Sequence, residues 1–525
     1  MSEPSERQGG EGRERRGGRT RHAARAAAVE AAGDPLPFRQ PRRRFPPVEI
    51  LSADQIEKIH QTSLTILEEI GMDFLDPDAI RLLAKAGAIH KPGEQRVRFD
   101  RAMIEEKIRT APSTFTLHAR NPAHNLAFGG DNVIFAQVAS APNCSDADNG
   151  RRPGNHEDFR NLVKLAQSFN IIHMTGGYPV EPVDLHASIR HLDCLADLAK
   201  LTDKAFHAYS LGRHRNRDAL EIVRLARGIS DEQLDREPSL ISVINSSSPL
   251  RLDAPMLQGI MEMSARGQVI IMTPFTLAGA MAPVTVAGAL AQQNAEALAG
   301  ISFTQIVRPG APVVYGGFTS NVDMKSGAPA FGTPEYMKAA TIGGQLARRY
   351  NLPYRTSNTC AANTVDAQAA YESVFSLWGA VMGGGNFILH SAGWMEGGLT
   401  ASFEKTIVDV DLLQMVSEYL EPLEINDDTL ALDAIREVGP GGHYFGATHT
   451  QSRYKTAFYS PLISDWRNFE SWREAGSPTA MEKANKLWKE TLARYQPPPM
   501  DPAAAEALDA FVASRKREGG VKTDF

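Results

Sequence analysis

The sequence contains little cysteine. Cys144, Cys194 and Cys360 are spread over 525 residues, and no two of them form a CxxC pair. A disulfide framework or a zinc ribbon would need more cysteines at closer spacing. His191 lies three residues before Cys194 on one predicted helix face, but no third metal ligand accompanies them. We therefore predict free thiols and no bound metal.

Long apolar runs are also missing. No stretch reaches the roughly 20 apolar residues that cross a bilayer, and the segment MSEPSERQGGEGRERRGG at the amino terminus has no apolar h-region. We therefore expect no membrane span and a cytoplasmic location. An overall excess of positive charge is missing too, because the net charge is -6. No basic stripe interleaved with aromatic residues appears, so we predict no nucleic-acid partner.

The positive charge is concentrated at the amino terminus. Residues 1–44 contain eleven arginines and six acidic residues, together with many glycines and alanines. Such a segment cannot bury enough apolar surface to offset its chain entropy. We therefore predict a disordered basic tail over residues 1–44. The tail either binds nucleic acid or an acidic partner surface, or is a solubilising or unselected segment.

Residues 45–130 show helical periodicity. In SADQIEKIHQTSLTILEEIG, Ser52 is a suitable N-cap, apolar residues recur at helical spacing, and Gly71 ends the pattern. DPDAIRLLAKAG indicates a second helix, and QRVRFDRAMIEEKIRTA a short strand and a third helix. We predict a small N-terminal α-rich cap.

From about residue 131 the chain alternates between short apolar runs and helix-length segments. This alternation is typical of parallel strands with right-handed crossovers. Eight repeats fit a closed (β/α)8 TIM barrel better than an open sheet, which would favour a phosphate-binding glycine loop. We predict this barrel over residues 131–425. Its strands are predicted at 132–140, 171–178, 205–210, 240–245, 269–274, 312–317, 353–358 and 386–393.

Residues 426–525 are predicted to form a C-terminal loop and helical extension. Two amphipathic helices flank a proline break, and Leu487, Trp488 and Leu492 give the first one an apolar face. This face could pack on the barrel of the same chain or on a neighbouring subunit. We favour a homo-oligomer.

The active site of such a barrel lies at the carboxyl ends of its strands. Those ends carry aromatic rings and neutral amides rather than the paired acids and bases of general acid–base catalysis. Aromatic ring faces suit a ligand with its own positive charge, because they attract cations. The predicted substrate-binding residues from these strand ends are Tyr178, Tyr209, Phe275, Tyr315 and Phe318.

The segment ILHSAGWMEGGLTASFEK, residues 388–405, ends the last predicted strand among glycines. Trp394 either packs under the following helix or presents a ring face to the ligand. Glu396 either caps that helix or offsets a cationic charge. His390 is either a core histidine or a contact for a substrate carboxylate.

Four segments together resemble the trimethylamine methyltransferase family. They are RRPGNHEDFRNLVKLA, PVTVAGALAQQNAEALAG, GWMEGGLTASFEK and GPGGHYFGATHTQSRYKTAFYSPLISDW, and the resemblance extends from Arg43 to Arg515. It implies a TIM-barrel enzyme that passes a methyl group from a methylated amine to the cobalt of a corrinoid (cobalamin). It also implies that a separate small corrinoid protein carries this cofactor.

The founding archaeal members of that family carry pyrrolysine in the barrel mouth. The comparable segment here, SNTCAANTVDAQAAYE, contains only standard residues, with Asn363 near the pyrrolysine position. The resemblance therefore implies a quaternary amine such as glycine betaine as substrate, and no pyrrolysine. On this basis Glu396 and Asn363 are the candidate catalytic residues, and Trp394 and His390 join the substrate-binding set.

Two other functions fit the same residues. A non-catalytic protein that binds quaternary amines could use the aromatic mouth without a corrinoid partner. A metal-dependent hydrolase or lyase is disfavoured because clustered metal ligands are missing. Formation of methylcobalamin from a betaine would separate the enzyme from the binding protein.

Overall fold

The computed structural model describes residues 36–522, so most of the predicted basic tail lies outside the described residues. The described chain divides into two compact units. The larger unit consists of residues 38–421 and 463–522, and the smaller one of residues 36–37 and 422–462. The division at residues 44, 130 and 425 stays a prediction.

Residues 38–44, which we assigned to the tail, are packed. Arg42 forms an antiparallel bridge with Asn132. The side chain of Arg43 is buried and donates to Asp131 at 3.1 Å. Residues 38–44 thus pack on the larger unit before the predicted boundary, and the Asp131 carboxylate compensates the charge of the buried Arg43.

The three predicted N-terminal helices are present, at Ala53–Thr65, Pro77–Lys85 and Arg101–Ile108. Ser52 caps the first one through a capping box with Gln55. The region also contains a four-stranded sheet that sequence analysis did not resolve. Its strands are Met72–Phe74, Ile89–His90, Arg96–Arg98 and Arg251–Leu252.

The centre of the larger unit is a curled sheet of six parallel strands, which confirms a mixed α/β fold. Its order is β1-β6-β5-β4-β3-β2, so the first strand in sequence pairs with the last. The strands are β1 (Ile134–Phe135), β2 (Ile241–Ile244), β3 (Val269–Met272), β4 (Val313–Gly316), β5 (Tyr354–Ser357) and β6 (Phe387–Leu389).

The segments 171–178 and 205–210 were predicted as strands but contribute only isolated parallel bridges. These bridges join Ala136 to Met174, Met174 to Ala205, and His207 to Ile241. Histidine rings explain why the ladder is interrupted. In a regular ladder a backbone amide donates to a carbonyl of the neighbouring strand, but here two amides donate to histidine rings instead. Phe135 N donates to His173 Nδ1 at 2.8 Å, and Val243 N donates to His207 Nε2 at 3.0 Å.

Long helices follow the strand segments along the chain. They are His156–Ser168, Arg190–Leu201, Arg213–Arg227, Ala254–Ala265, Val286–Val307, Pro334–Arg349, Ala367–Met382 and Phe403–Tyr419, with a short helix at Asp231–Leu234. Within residues 36–522, none of the helices has the length and apolar character needed to cross a membrane.

The sheet separates two apolar cores. The inner core contains alternate strand residues such as Ile271, Val314 and Phe387, and the outer core lies between sheet and helices. The hairpin of Phe115–Leu117 and Leu126–Phe128 joins the inner core. Its Phe128 contacts Phe387, the first residue of β6, at 5.8 Å between ring centroids. The hairpin therefore covers the amino ends of the strands.

The loops at the carboxyl ends of the strands form small sheets of their own. Trp394–Met395 pairs with Thr400–Ser402, which continues to Asn143–Asp146 and Gly150–Pro153. A second sheet contains Leu277–Ala278, Ser320–Val322 and Pro329–Ala330.

The C-terminal helices are Phe469–Glu474, Ala480–Arg494 and Pro502–Arg517, and the last two pack on their own chain. The Trp488 ring lies 4.7 Å from that of Phe403, and its Nε1 donates to Glu404 at 2.9 Å. Arg515 forms an ion pair with Asp218 at 2.8 Å. The apolar face of the extension is therefore covered within one subunit, and the homo-oligomer stays a prediction.

The smaller unit is built from short helical turns. They are Asp427–Leu430, Leu432–Val438, Tyr444–Gly446 and Thr448–Gln451. Asn426 begins the first turn through a capping box with Thr429.

Candidate functional site

An arginine lies inside the sheet at the centre of the candidate site. Arg355 of β5 is in register with Phe387 of β6, whose side chain belongs to the inner core. Arg355 is 3% exposed. Its Nη1 donates to the carbonyl of Gly317 at 3.4 Å, while its Nε has no partner among the described residues. Within residues 36–522, no carboxylate forms an ion pair with Arg355.

The charge of Arg355 is therefore almost uncompensated. Burial lowers the pKa of its guanidinium to about 10, so the group is still cationic at neutral pH. A buried and unpaired cation costs free energy that a bound anion would recover. Arg355 was missed in the sequence, although an arginine inside the predicted strand PYRTSN was a usable signal, because charged residues are rarely buried without a partner.

His390 follows β6 and faces the same region. Its φ of +59° is rare for a residue other than glycine. Its Nδ1 lies 3.2 Å from the hydroxyl of Ser357, and its ring stacks on Trp394 at 5.1 Å. Burial, followed by the charges of Arg355 and His207, holds the pKa of His390 well below its ordinary value. His390 is consequently neutral and can donate one hydrogen bond.

Aromatic rings surround this pair. Phe318, from the loop after β4, lies 5.5 Å from Phe331, 6.1 Å from Trp394 and 5.2 Å from Phe275, measured between ring centroids. The guanidinium of Arg355 lies 5.1 Å from the Phe318 centroid. The structure thus brings four predicted residues, Phe275, Phe318, His390 and Trp394, next to an arginine. Phe331 was missed, since its loop carries no strand-end signal.

Trp394 packs within this aromatic group. Its ring lies between His390 and Phe331, 5.1 Å from each, and it is 4% exposed. Gly398 allows this packing, because a Cβ there would meet the indole at 2.8 Å. A ligand would contact the Trp394 ring only if it bound among these aromatic side chains. Its role in binding stays a prediction.

Tyr209 and Tyr178 form a second aromatic pair. Their rings lie 4.6 Å apart, and the Tyr209 ring lies 4.9 Å from His207. The Tyr209 hydroxyl is close to Ser140 at 2.8 Å and accepts from the amide of Tyr178 at 3.1 Å. Tyr178 is buried, and both rings pack with the outer core.

Tyr315 does not join the other predicted residues. It belongs to the outer core, and its hydroxyl donates to Asn294 Oδ1 at 2.9 Å, in the helix Val286–Val307. Its neighbour Val314 belongs to the inner core. Because strand side chains alternate, Tyr315 must face outward. A strand assignment from sequence could not resolve this one-residue difference.

Glu396 and Asn363 lie on two loops that contact each other. The amide of Glu396 donates to the carbonyl of Ala362 at 3.1 Å. The Glu396 carboxylate forms an ion pair with Arg151 at 2.9 Å, while Asn363 is exposed. Arg151 therefore compensates the charge that we expected to offset a cationic substrate. The catalytic roles of both residues stay predictions.

The other reactive groups of the sequence have structural surroundings. His191 is paired with Asp218 at 2.8 Å, and burial raises the pKa of the Cys360 thiol to about 12. In the part of the chain that the structure describes, no group of three His, Cys, Asp or Glu side chains could hold a metal ion. Cys360 is therefore a poor nucleophile at neutral pH.

A parallel α/β sheet with a buried cation and aromatic rings at its carboxyl ends defines an enzyme-type site for a small molecule. Comparison with known proteins agrees, because the family described as trimethylamine methyltransferase (MTTB) matches residues 14–520. The chain belongs to this family, and the protein is a methyltransferase.

Several relatives match along nearly their whole length. The chain is 38% identical to a glycine betaine methyltransferase of Desulfitobacterium hafniense (strain Y51), over 91% of this chain and 99% of that protein. It is 27% identical to trimethylamine methyltransferase MttB of D. hafniense (strain DSM 10664 / DCB-2), over 90% and 94%. It is 26% identical to trimethylamine methyltransferase MttB2 of Methanosarcina mazei (strain ATCC BAA-159 / DSM 3647 / Goe1 / Go1 / JCM 11833 / OCM 88), over 90% and 96%.

The buried histidines make folding stability depend on pH. Burial lowers the pKa of His207 to about 4, and Nδ1 donates to the carbonyl of Gly176 at 2.7 Å. Below about pH 6.5 the unfolded chain binds a proton that folded His207 does not, so stability falls as pH falls towards about 4. Between about pH 7 and about pH 5, we expect the free energy of unfolding to fall by about 2 kcal/mol less in His207→Gln than in the parent protein. Urea unfolding at both pH values measures this.

The control for this prediction is His214→Gln, because His214 is exposed. We expect this variant to retain the acid sensitivity of the parent protein. An equal loss of stability on acidification in the parent protein and in His207→Gln would contradict the role of His207.

Proposed function

We propose that this protein transfers a methyl group from a quaternary amine that carries a carboxylate, such as glycine betaine, to a corrinoid held by a separate protein. The observation that supports this substrate class is the buried, unpaired guanidinium of Arg355 next to a group of aromatic rings. The 38% identical relative, a glycine betaine methyltransferase, also supports this substrate class.

We also propose that the central sheet is a closed (β/α)8 barrel. The isolated parallel bridges that join β1 to Met174, Met174 to Ala205, and His207 to β2 support this proposal. Closure would leave no open sheet edge, and it would place all eight carboxyl ends around one mouth.

Arg355 is the proposed carboxylate-binding residue. A guanidinium donates paired hydrogen bonds to a carboxylate, and the neutral ring of His390 can supply one more donor. The quaternary nitrogen of a betaine lies one methylene away from its carboxylate. The ring of Phe318 lies beside Arg355, with Trp394 and Phe331 next to it, so both ends of a betaine can be bound at once.

The surrounding residues suit a reaction without proton transfer. A quaternary nitrogen leaves as a neutral tertiary amine when its methyl carbon is attacked, so no general acid is needed. Glu396 is bound to Arg151, and His390 is neutral. The contribution of the chain is then to orient the methyl group and to exclude water. The cation contact must stay moderate, because the positive charge disappears as the reaction proceeds.

The loops around the site suit a docked corrinoid protein. Val284, Met324 and Leu399 follow β3, β4 and β6 and are 67%, 72% and 53% exposed. Such an apolar rim fits the face of a large macrocycle on a partner protein. The corrinoid would supply Co(I) as the nucleophile. The rim residues of this chain would exclude water from the methyl group.

The first test is a substrate panel. The purified protein is mixed with reduced corrinoid protein and with glycine betaine, tetramethylammonium or trimethylamine, and methylcobalamin is followed in the visible spectrum. We expect transfer from glycine betaine and at least about 100-fold slower transfer from the other two, because they leave Arg355 unpaired. Rapid trimethylamine turnover would contradict the proposal. Betaine binding without transfer to any corrinoid protein would indicate a binding protein instead.

The second test concerns Arg355. We expect Arg355→Met to weaken glycine betaine binding about 100-fold in calorimetry, because the carboxylate loses its charged partner. Its melting temperature should stay equal or rise, since the substitution removes a buried unpaired charge. This opposite effect on binding and stability separates recognition from folding. Unchanged betaine affinity in Arg355→Met would disprove the carboxylate role.

The third test concerns Trp394. We expect Trp394→Ala to weaken betaine binding at least about tenfold, corresponding to about 1.4 kcal/mol, and Trp394→Phe to retain much of it because a ring remains. Trp466→Ala is the matched control, because Trp466 is 72% exposed. A lower melting temperature with unchanged affinity in Trp394→Ala would assign a purely structural role to this ring.

A further inference from the structure

A buried ion pair lies behind the loop that carries His390 and Trp394. Lys405 and Asp409 are one turn apart in the helix Phe403–Tyr419, and their side chains are 0% and 1% exposed. The Lys405 ammonium donates to Asp409 Oδ1, and to the hydroxyl of Ser373 at 2.7 Å. No part of this pair belongs to the proposed substrate site.

The Asp409 carboxylate holds the loop after β6, and a neighbouring hydrogen bond from Asn358 joins that loop to the end of β5. Its Oδ2 accepts from the amide of Gly393 at 2.9 Å, just after β6. The side chain of Asn358, the residue after β5, also favours the charged form of this carboxylate. Asn358 Nδ2 donates to the carbonyl of Ser391 at 3.1 Å. Arg355 lies in β5 and His390 directly follows β6, so this hydrogen bond joins the two segments that carry these residues.

Gly393 is held from both sides. Its carbonyl accepts from the amide of Ser402 at 2.9 Å, and its φ of +96° favours glycine. A Cβ at Gly393 would meet Thr406 Oγ1 at 2.5 Å, so the loop lies directly on the helix. The positive φ of His390, three residues earlier, also needs surroundings that hold it in place.

Stability alone does not account for this pair. Burial raises the pKa of Asp409, and Lys405 offsets that effect only in part. Buried ion pairs are often no more stabilising than apolar residues of similar size. Their geometric effect can be large, because a displacement of about 1 Å at a reacting group lowers a rate about 100-fold.

We propose that Asp409, with Lys405 as its counter-ion, is a positioning residue that fixes the Gly393–Trp394 turn and thereby sets His390 and Trp394 against Arg355. Asp409 acts through the backbone amide of Gly393, without touching the substrate. The substrate readout of this inference rests on the proposed function, whereas its amide-exchange readout does not.

Two double variants test the proposal. Lys405→Met with Asp409→Leu removes the charges and the acceptor for Gly393. Lys405→Met with Asp409→Asn removes the charges but retains an acceptor oxygen. We expect both proteins to melt within a few degrees of the parent protein. The Leu variant should transfer methyl groups from glycine betaine about 100-fold more slowly, and the Asn variant should retain most of the activity.

Amide hydrogen exchange at Gly393 is the readout that needs no substrate. We expect the Gly393 amide to lose protection in the Leu variant and to keep it in the Asn variant. Lys204→Met is the control for general destabilisation, since Lys204 is buried and donates to the carbonyls of Ala166, Phe169 and Ile172, at the end of the helix His156–Ser168 and just after it. It should lower the melting temperature while leaving betaine affinity unchanged.

The outcomes separate the two proposals. Unchanged turnover and unchanged Gly393 protection in the Leu variant would overturn the positioning role of Asp409. Equal loss of activity in the Leu and Asn variants would also overturn it, because the retained acceptor would then have no effect. A parent protein that neither binds nor demethylates a betaine would defeat the proposed function, while Gly393 exchange would still decide the role of Asp409.

Discussion

The uncompensated charge of Arg355 is the constraint on which the site depends. A guanidinium that is 3% exposed and has one long hydrogen bond is unfavourable in the free protein. Burial lowers the pKa values of His207 and His390, and the charge of Arg355 lowers them further. Both rings are therefore kept neutral beside it. The region combines one fixed positive charge with neutral donors and aromatic faces.

This arrangement explains why few acids and bases are free in the site. Asp and Glu side chains near Arg355 would neutralise it, and then a substrate carboxylate would gain little from binding there. Glu396 is instead held by Arg151 at the edge, and Asp409 by Lys405 behind the loop. The separation of these ion pairs from Arg355 leaves its charge available. Because these acids are paired, the residues of the candidate site are better suited to binding and orienting a ligand than to transferring protons.

The rest of the fold supports the position of Arg355. The hairpin at residues 115–128 contributes Leu117, Leu126 and Phe128 to the inner core, and thus the amino ends of the strands are filled with apolar side chains. The polar inner residues lie towards the carboxyl ends, where the loops form sheets of their own. A rigid frame of this kind reduces the entropy lost when a small ligand binds.

The sequence alone determined the mixed α/β class, the alternation of strand and helix segments, and the family. Periodicity and turn residues depend on neighbours in the chain, so the N-terminal helices and six of the eight strand segments could be predicted. Trp394, His390, Phe275 and Phe318 could be predicted as neighbours because strand ends meet in a parallel sheet.

Only the tertiary structure decided which way each side chain faces and which charges are paired. Tyr315 faces the helices because of a one-residue alternation, and Arg151 neutralises Glu396 from 245 residues away. The missing partner of Arg355 is likewise a property of the packed protein, because an ion pair depends on distances in space. Local patterns therefore determined where the site lies, and long-range packing decided its chemistry.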